Sequence, residues 1–253
     1  MSVTSPSPSP PSPPPMRMTA SHKALLGMIV FLLAAKLIEM AARIPFQNPS
    51  QQAVFSWRSV IFFVAIALLG SGFAHIVGFP GMWDRQVGNS GRIWAPLAIG
   101  IVVGVALLSL DHATGFAHLY AKAFGVSSLS LPFGSQVLFQ LFAAVSASIL
   151  YYLFAVAFAV WFFGTLLLSR HWPSQTFWVV AIVASLWEPL AVAGQHHWAL
   201  MRLAPLSAGV VGLLVLIYTL DLAAVILFRR FGFTAALILR ISAITVWHII
   251  GRV

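Results

Sequence analysis

Seven long apolar runs dominate the chain, and its polar residues collect between them. The runs cover Ala24–Ala42, Ser59–Val77, Trp94–Leu110, Val137–Leu168, Phe177–Ala193, Ser207–Phe228 and Phe233–Ile250. Each is near the ~20 residues that an α-helix needs to cross about 30 Å of hydrocarbon. The pattern predicts an all-α fold, a polytopic bundle of about seven to eight transmembrane helices. The fourth run is longer than one crossing requires. It is expected to tilt, to run past the membrane, or to break near Ala155–Ala159. Turn residues mark the connections: Pro45 and Pro49 in Ile44–Trp57, and the Gly-Phe-Pro-Gly run in Gly78–Arg92. The longest connection, Asp111–Gln136, reads as interfacial, with Phe116, Leu119, Tyr120 and Phe124 near helical spacing and Lys122 at the water side. Arg229–Arg230 form a very short link, which makes the last two spans antiparallel neighbours.

Composition agrees with the pattern. The chain is 60% hydrophobic and 8% charged, against about 45–50% and about 25% in soluble domains. It has no cysteine, which excludes disulfides and thiolate metal sites. The formal charge of +9 comes from 14 basic and 5 acidic residues. Most of the basic residues lie at span ends, where they meet anionic headgroups and orient the helices. No folded basic domain is present to bind nucleic acid. Residues 1–22 begin MSVTSPSPSPPSPPPMRMTA and form a Pro/Ser-rich tail, expected to be disordered. Residues 23–253 form the transmembrane domain. With the N-terminus cytoplasmic, the inside segments hold Arg17, Lys23, Arg85, Arg92, Arg170, Arg229 and Arg230. The outside segments hold Arg43, Arg58, Lys122, Arg202 and Arg252. The small excess inside favours that orientation.

Arg240 lies at the middle of the last run. A central arginine costs roughly 2.5–3.5 kcal/mol on insertion scales, so it requires a partner, a water-filled cavity or a bilayer that thins around it. Two anions are candidates. Glu188 lies in the fifth span, just before Pro189, which frees the Ser185 carbonyl. Asp221 lies in the sixth. Glu188 is the first choice for an ion pair and Asp221 the competing partner. Lys36 and Glu39, three apart on one helix face, are expected to pair with each other. His248 lies two turns beyond Arg240 on nearly the same face. His196 and His197 are adjacent, so their side chains diverge by about 100° on a helix. His-Glu-x-x-His is absent, and Arg240 opposes a dication, so no metal site is expected. Ser146 and Ser148 lie near Tyr151 and Tyr152, but Gly-x-Ser-x-Gly is absent. The two tyrosines read as amphipathic side chains at a helix interface.

The run LFRRFGFTAALILRISAITVWHII resembles the last conserved segment of the CAAX-protease and bacteriocin-processing family, also called the abortive-infection family. The likeness rests on Phe228–Gly232 and Ala235–Ala236. The family's His-x-x-x-Asn/Asp falls on Arg240 and Ile244. ASILYYLFAVAFAVWFFGTLLLSRHW resembles the segment that carries Glu-Glu-x-x-x-Arg, which falls on Tyr151, Tyr152 and Val156. FWVVAIVASLWEPLAV resembles the segment that carries Phe-x-x-x-His, which falls on Glu188 and Val192. GFPGMWDRQVGNSGRIWAPLAIGIVVGVALLSLD is similar to an N-terminal segment common in bacterial members. The resemblance spans Ser59 to the end of the chain. It implies a CAAX-protease-like helix bundle, in the bacterial cytoplasmic membrane, with a polar cavity between helices.

Active members of that family are glutamate/histidine intramembrane proteases, and this chain lacks their acid, base and histidine residues. The resemblance therefore implies a pseudoenzyme that acts by binding a membrane partner, with Glu188, Asp221, Arg240, His196 and His248 as the candidate functional cavity. One alternative is an active protease with a displaced set, Glu188, His196 and His248. The other is a small transporter or channel subunit with Glu188, Asp221 and Arg240 along its path. No cofactor is expected, and zinc enters only under the protease alternative. The expected partners are the lipid bilayer, other membrane proteins, and prenylated or hydrophobic peptides.

Overall fold

The computed structural model describes residues 20–44, 46, 49–115, 132–168, 173–190 and 208–252. The sequence readings of the tail up to residue 19, of the interfacial segment at 116–131, and of Val192, His196 and His197 lie outside them. The described residues are helical and contain no strand. Helix α1 spans Ala20–Ala42, α2 Pro49–Val54, α3 Trp57–Ile76 and α4 Ala95–Thr114. Helix α5 runs without interruption over Phe133–Leu167. It is followed by α6 at Pro173–Ser185, α7 at Ala208–Phe231 and α8 at Phe233–Ile244. Five of the described helices are long and apolar enough to cross a membrane. Helix α8 with its π-helical extension, Phe233–Ile249, is apolar but shorter.

Large apolar side chains remain exposed around the bundle, among them Leu69, Val102, Val183 and Trp187. In water such a continuous surface would drive association. In a bilayer it is the face that meets acyl chains. Helix α8 occupies the centre, packed against α4, α5 and α7, while α6 lies against α5 and α7. Close approach of α4 and α8 depends on Gly100 and Gly104. A Cβ at Gly100 would lie 2.5 Å from the Leu239 carbonyl oxygen, and one at Gly104 would lie 2.7 Å from that of Ala243. Two glycines four apart let the backbones of apolar helices touch, where packing replaces the hydrophobic effect as the driving force.

One open alternative of the sequence is removed here and one expectation is corrected. Helix α5 does not break near Ala155–Ala159. Ala157–Ala159 is α-helical, and the widened π-helical turns lie on either side, at Ile149–Val156 and Val160–Leu167. Its 35 residues would extend about 50 Å as an α-helix, well beyond one hydrocarbon thickness. Arg229 and Arg230 are not the link between the last two spans. They belong to α7, and Gly232 alone turns the chain, with φ of 86° and its N–H donating to the Phe228 carbonyl at 3.0 Å. Only glycine adopts that backbone conformation readily. A Cβ there would also lie 2.6 Å from the Gly81 carbonyl oxygen.

Candidate functional site

The tight turn at Gly232 sets the depth of two charges. Asp221 lies at the centre of the apolar helix Val211–Phe231, about 15 Å from either end at 1.5 Å per residue. Arg240 lies two turns into α8, returning antiparallel, so the two meet. Arg240 Nη1 donates to Asp221 Oδ1 at 3.1 Å. Arg240 Nη2 donates to both carboxylate oxygens of Glu188, each at 2.7 Å. The choice between two partners is thus resolved in favour of both. The pairing is not the parallel two-nitrogen fork that a lone arginine–carboxylate pair adopts: Nη1 is taken by Asp221 and a phenol, and the buried Nε makes no hydrogen bond.

That phenol belongs to Tyr152. Its hydroxyl donates to Asp221 Oδ1 at 2.5 Å and accepts from Arg240 Nη1 at 2.8 Å. Tyr152 is 2% exposed, and Asp221 and Arg240 are each 4% exposed. The sequence reading of Tyr152 as a residue of a helix interface is therefore incomplete: it is part of the ion cluster. Tyr152 lies within the π-helical stretch Ile149–Val156, and widened turns of this kind recur at functional sites. Gly70 of α3 fits against the same stretch, where a Cβ would lie 2.6 Å from the Leu153 carbonyl oxygen. The cluster joins four elements, since Tyr152 comes from α5, Asp221 from α7 and Arg240 from α8, and Glu188 follows α6.

Glu188 is placed by a local irregularity. Helix α6 ends at Ser185, Leu186 forms a turn, and residues 187–190 resume the helix. Pro189 has no N–H to bond the Ser185 carbonyl, and the Ser185 hydroxyl donates instead to the Ala181 carbonyl at 2.7 Å. The Glu188 side chain keeps 28% exposure because it borders a cavity of about 330 Å³. Leu150, Tyr151, Val156, Val183 and Trp187 form apolar walls, and Tyr152, Glu188 and Asp221 form the polar base. Val183 and Trp187 are exposed on the outer surface of the bundle. The volume falls within the range typical of small-ligand sites, about 300–1,000 Å³.

Other sequence candidates lie elsewhere. His248 is in the π-helical extension Thr245–Ile249. Its ring stacks on Trp247 with centroids 4.1 Å apart, and its carbonyl accepts from Gln136 Nε2 at 3.3 Å. It does not line the cavity. Eight residues of a regular helix overshoot two full turns by about 80° and climb about 12 Å, so His248 and Arg240 share neither a face nor a depth. Among the described residues no three His, Asp or Glu side chains group as a set of metal ligands. Lys36 Nζ and Glu39 Oε2 pair at 2.5 Å, apart from the cluster. The Ser148 hydroxyl donates to the Ala144 carbonyl at 2.8 Å.

The positions assigned by resemblance can now be located. Tyr151, Tyr152 and Val156 line the cavity, and Arg240 lies at its base through Glu188 and Asp221. Ile244 is one turn beyond Arg240 and half-buried. Comparison with protein-family models, with curated proteins and with solved structures finds no match to this chain.

Proposed function

We propose that this chain is a non-catalytic membrane protein of CAAX-protease-like architecture. Its lateral cavity receives the apolar part of a membrane partner, a hydrophobic or prenylated peptide. One observation carries the reading: both intramembrane carboxylates at the cavity base are held by Arg240. A carboxylate bonded to a guanidinium is a poor general base, because its lone pairs and charge are engaged. The convergence of Tyr151, Tyr152, Glu188 and Arg240 on one cavity supports the family likeness, since these are positions at or beside those where the family carries its working residues. In this reading the shorter helices Pro173–Ser185 and Phe233–Ile249 also cross the membrane. They bring the count to seven spans in a bacterial cytoplasmic membrane, with the N-terminus inside.

The test uses purified protein in detergent with a farnesylated peptide that carries a photoreactive group. Labelling is expected on residues 150–156 or 183–188, with the peptide left intact. Ala184→Trp, which fills the cavity from its wall, is expected to suppress labelling. Chelator-sensitive cleavage of the peptide would instead support the displaced protease set. Labelling unaffected by Ala184→Trp would remove the cavity from the proposal.

A further inference from the structure

A second and larger cavity, of about 740 Å³, lies at one end of the bundle. Its surroundings place it at a membrane surface. The start of α1, the end of α3, the loop at 79–86, the end of α7 and the start of α8 all contribute to it. The helix ends that meet there carry Lys23, Arg85, Arg92, Arg229 and Arg230, and Asp84 is the acidic residue among them. Such an excess of cations at one end of a helical bundle matches the leaflet that holds anionic lipid.

The lining changes character with depth. His22, His75 and Arg85 are exposed at the mouth, with Ser21 and Ser71 beside them. Leu25, Ala74, Leu153, Phe228 and Phe233 form the interior, and all five are buried. The rim is built rather than loose. The Arg92 guanidinium, 3% exposed, donates to the carbonyls of Asp84 and of Val87, the latter at 2.6 Å. It also lies 4.5 Å from the centre of the Trp83 ring. The Trp83 N–H donates to Ser21 Oγ at 3.2 Å, and the Thr234 hydroxyl donates to the Met82 carbonyl. A loop tied to α1 and α8 in this way holds the Arg85 backbone in place, so little loop-ordering entropy is lost on binding.

We propose that this cavity binds an anionic phospholipid. The phosphate-bearing head lies among His22, His75 and Arg85, and an acyl chain follows Leu25, Leu153 and Phe228 inward. Arg85 supplies charge for the phosphate, and the imidazole N–H groups of His22 and His75 supply hydrogen-bond donors. The apolar interior distinguishes a lipid from a soluble anion, which gains nothing from it.

The experiment titrates the full chain in neutral detergent and reads thermal unfolding. The probes are dioctanoyl phosphatidylglycerol, dioctanoyl phosphatidylcholine and inorganic phosphate. A saturable rise in Tm is expected with phosphatidylglycerol and not with the other two. The double change His75→Gln/Arg85→Gln should weaken the apparent affinity by about fivefold or more, as the loss of roughly 1 kcal/mol for the surface cation Arg85 implies. Arg230→Gln, a cation at the same end but outside the cavity, should leave it nearly unchanged. Asp84→Asn should tighten binding, which keeps the proposal testable even if the double variant proves unstable. An equal response to phosphatidylcholine would overturn the headgroup assignment, and an equal response to phosphate the lipid. An equal loss with Arg230→Gln would reduce the effect to diffuse surface charge, and no gain with Asp84→Asn would also count against the site.

Discussion

Arg240 and Glu188 are 52 residues apart in sequence, yet one guanidinium nitrogen contacts both carboxylate oxygens at 2.7 Å. The pair closes the base of the lateral cavity and holds α8 to the segment after α6. The guanidinium Nη1 is shared by Asp221 and Tyr152, so the four side chains act as a unit.

The first prediction follows from that sharing. Arg240→Gln leaves the buried Asp221 and the half-buried Glu188 without a counter-charge and should cost roughly 3–5 kcal/mol. Glu188→Gln should cost less, because Asp221 still neutralises Arg240. The double variant should lose clearly less than the sum of the two. Thermal unfolding in detergent measures all three, and strict additivity would show that the pair is not coupled.

Tyr152→Phe removes a hydroxyl that both donates to Asp221 and accepts from Arg240. The expected loss is about 1–3 kcal/mol, the cost of leaving buried polar groups unsatisfied. Tyr151→Phe should cost less, because the Tyr151 ring lines the cavity wall beside the cluster. Equal losses at the two positions would mean that the Tyr152 hydroxyl makes no specific contribution.

Gly104→Val should push α8 away from α4, since a Cβ at 104 meets the Ala243 carbonyl oxygen at 2.7 Å and Val246 Cβ at 2.8 Å. Overpacking of this kind costs typically 1–3 kcal/mol. Because α8 carries Arg240, the coupling between Arg240 and Glu188 should weaken in the Gly104→Val background. A double-mutant cycle run in both backgrounds reads this directly, and an unchanged coupling energy would argue that α4 does not set the position of α8.

Gly232→Ala strains a backbone angle that side chains rarely adopt and brings a methyl group against the Gly81 carbonyl. The expected loss is about 1–3 kcal/mol. Gly78→Ala provides the comparison, since φ at Gly78 is also positive but nothing lies within 4 Å of its Cβ position. It should show the backbone strain without the clash. If the two changes cost the same, the contact between the Gly81 loop and the α7–α8 turn does not hold these elements together.

The sequence by itself determined that this is a chain of apolar helices, several long enough to cross a membrane. Runs of about twenty apolar residues have few alternatives, because hydrocarbon forces every backbone group to bond within its own segment. It also determined that Arg240 needs an anion, since the cost of a lone central charge depends on composition and position alone. The mutual pairing of Lys36 and Glu39 was legible for a similar reason: both lie on one helix face, and no long-range geometry is involved.

Only the tertiary structure decided how the charges are shared. Whether Glu188 or Asp221 reaches Arg240 depends on the kink before Pro189 and on the single-residue turn at Gly232, and both set depth rather than pattern. Tyr152 entered the cluster because π-helical turns rotate the face of α5, and no periodicity in an almost wholly apolar run marks where such turns fall. Apolar patterning states which residues leave water, but in a bilayer both the lipid and the bundle interior are apolar. The pattern therefore does not distinguish a residue that faces lipid from one that faces the site. That distinction comes from close packing, such as that of Gly100 and Gly104 on α8, which fixes the rotation of each helix.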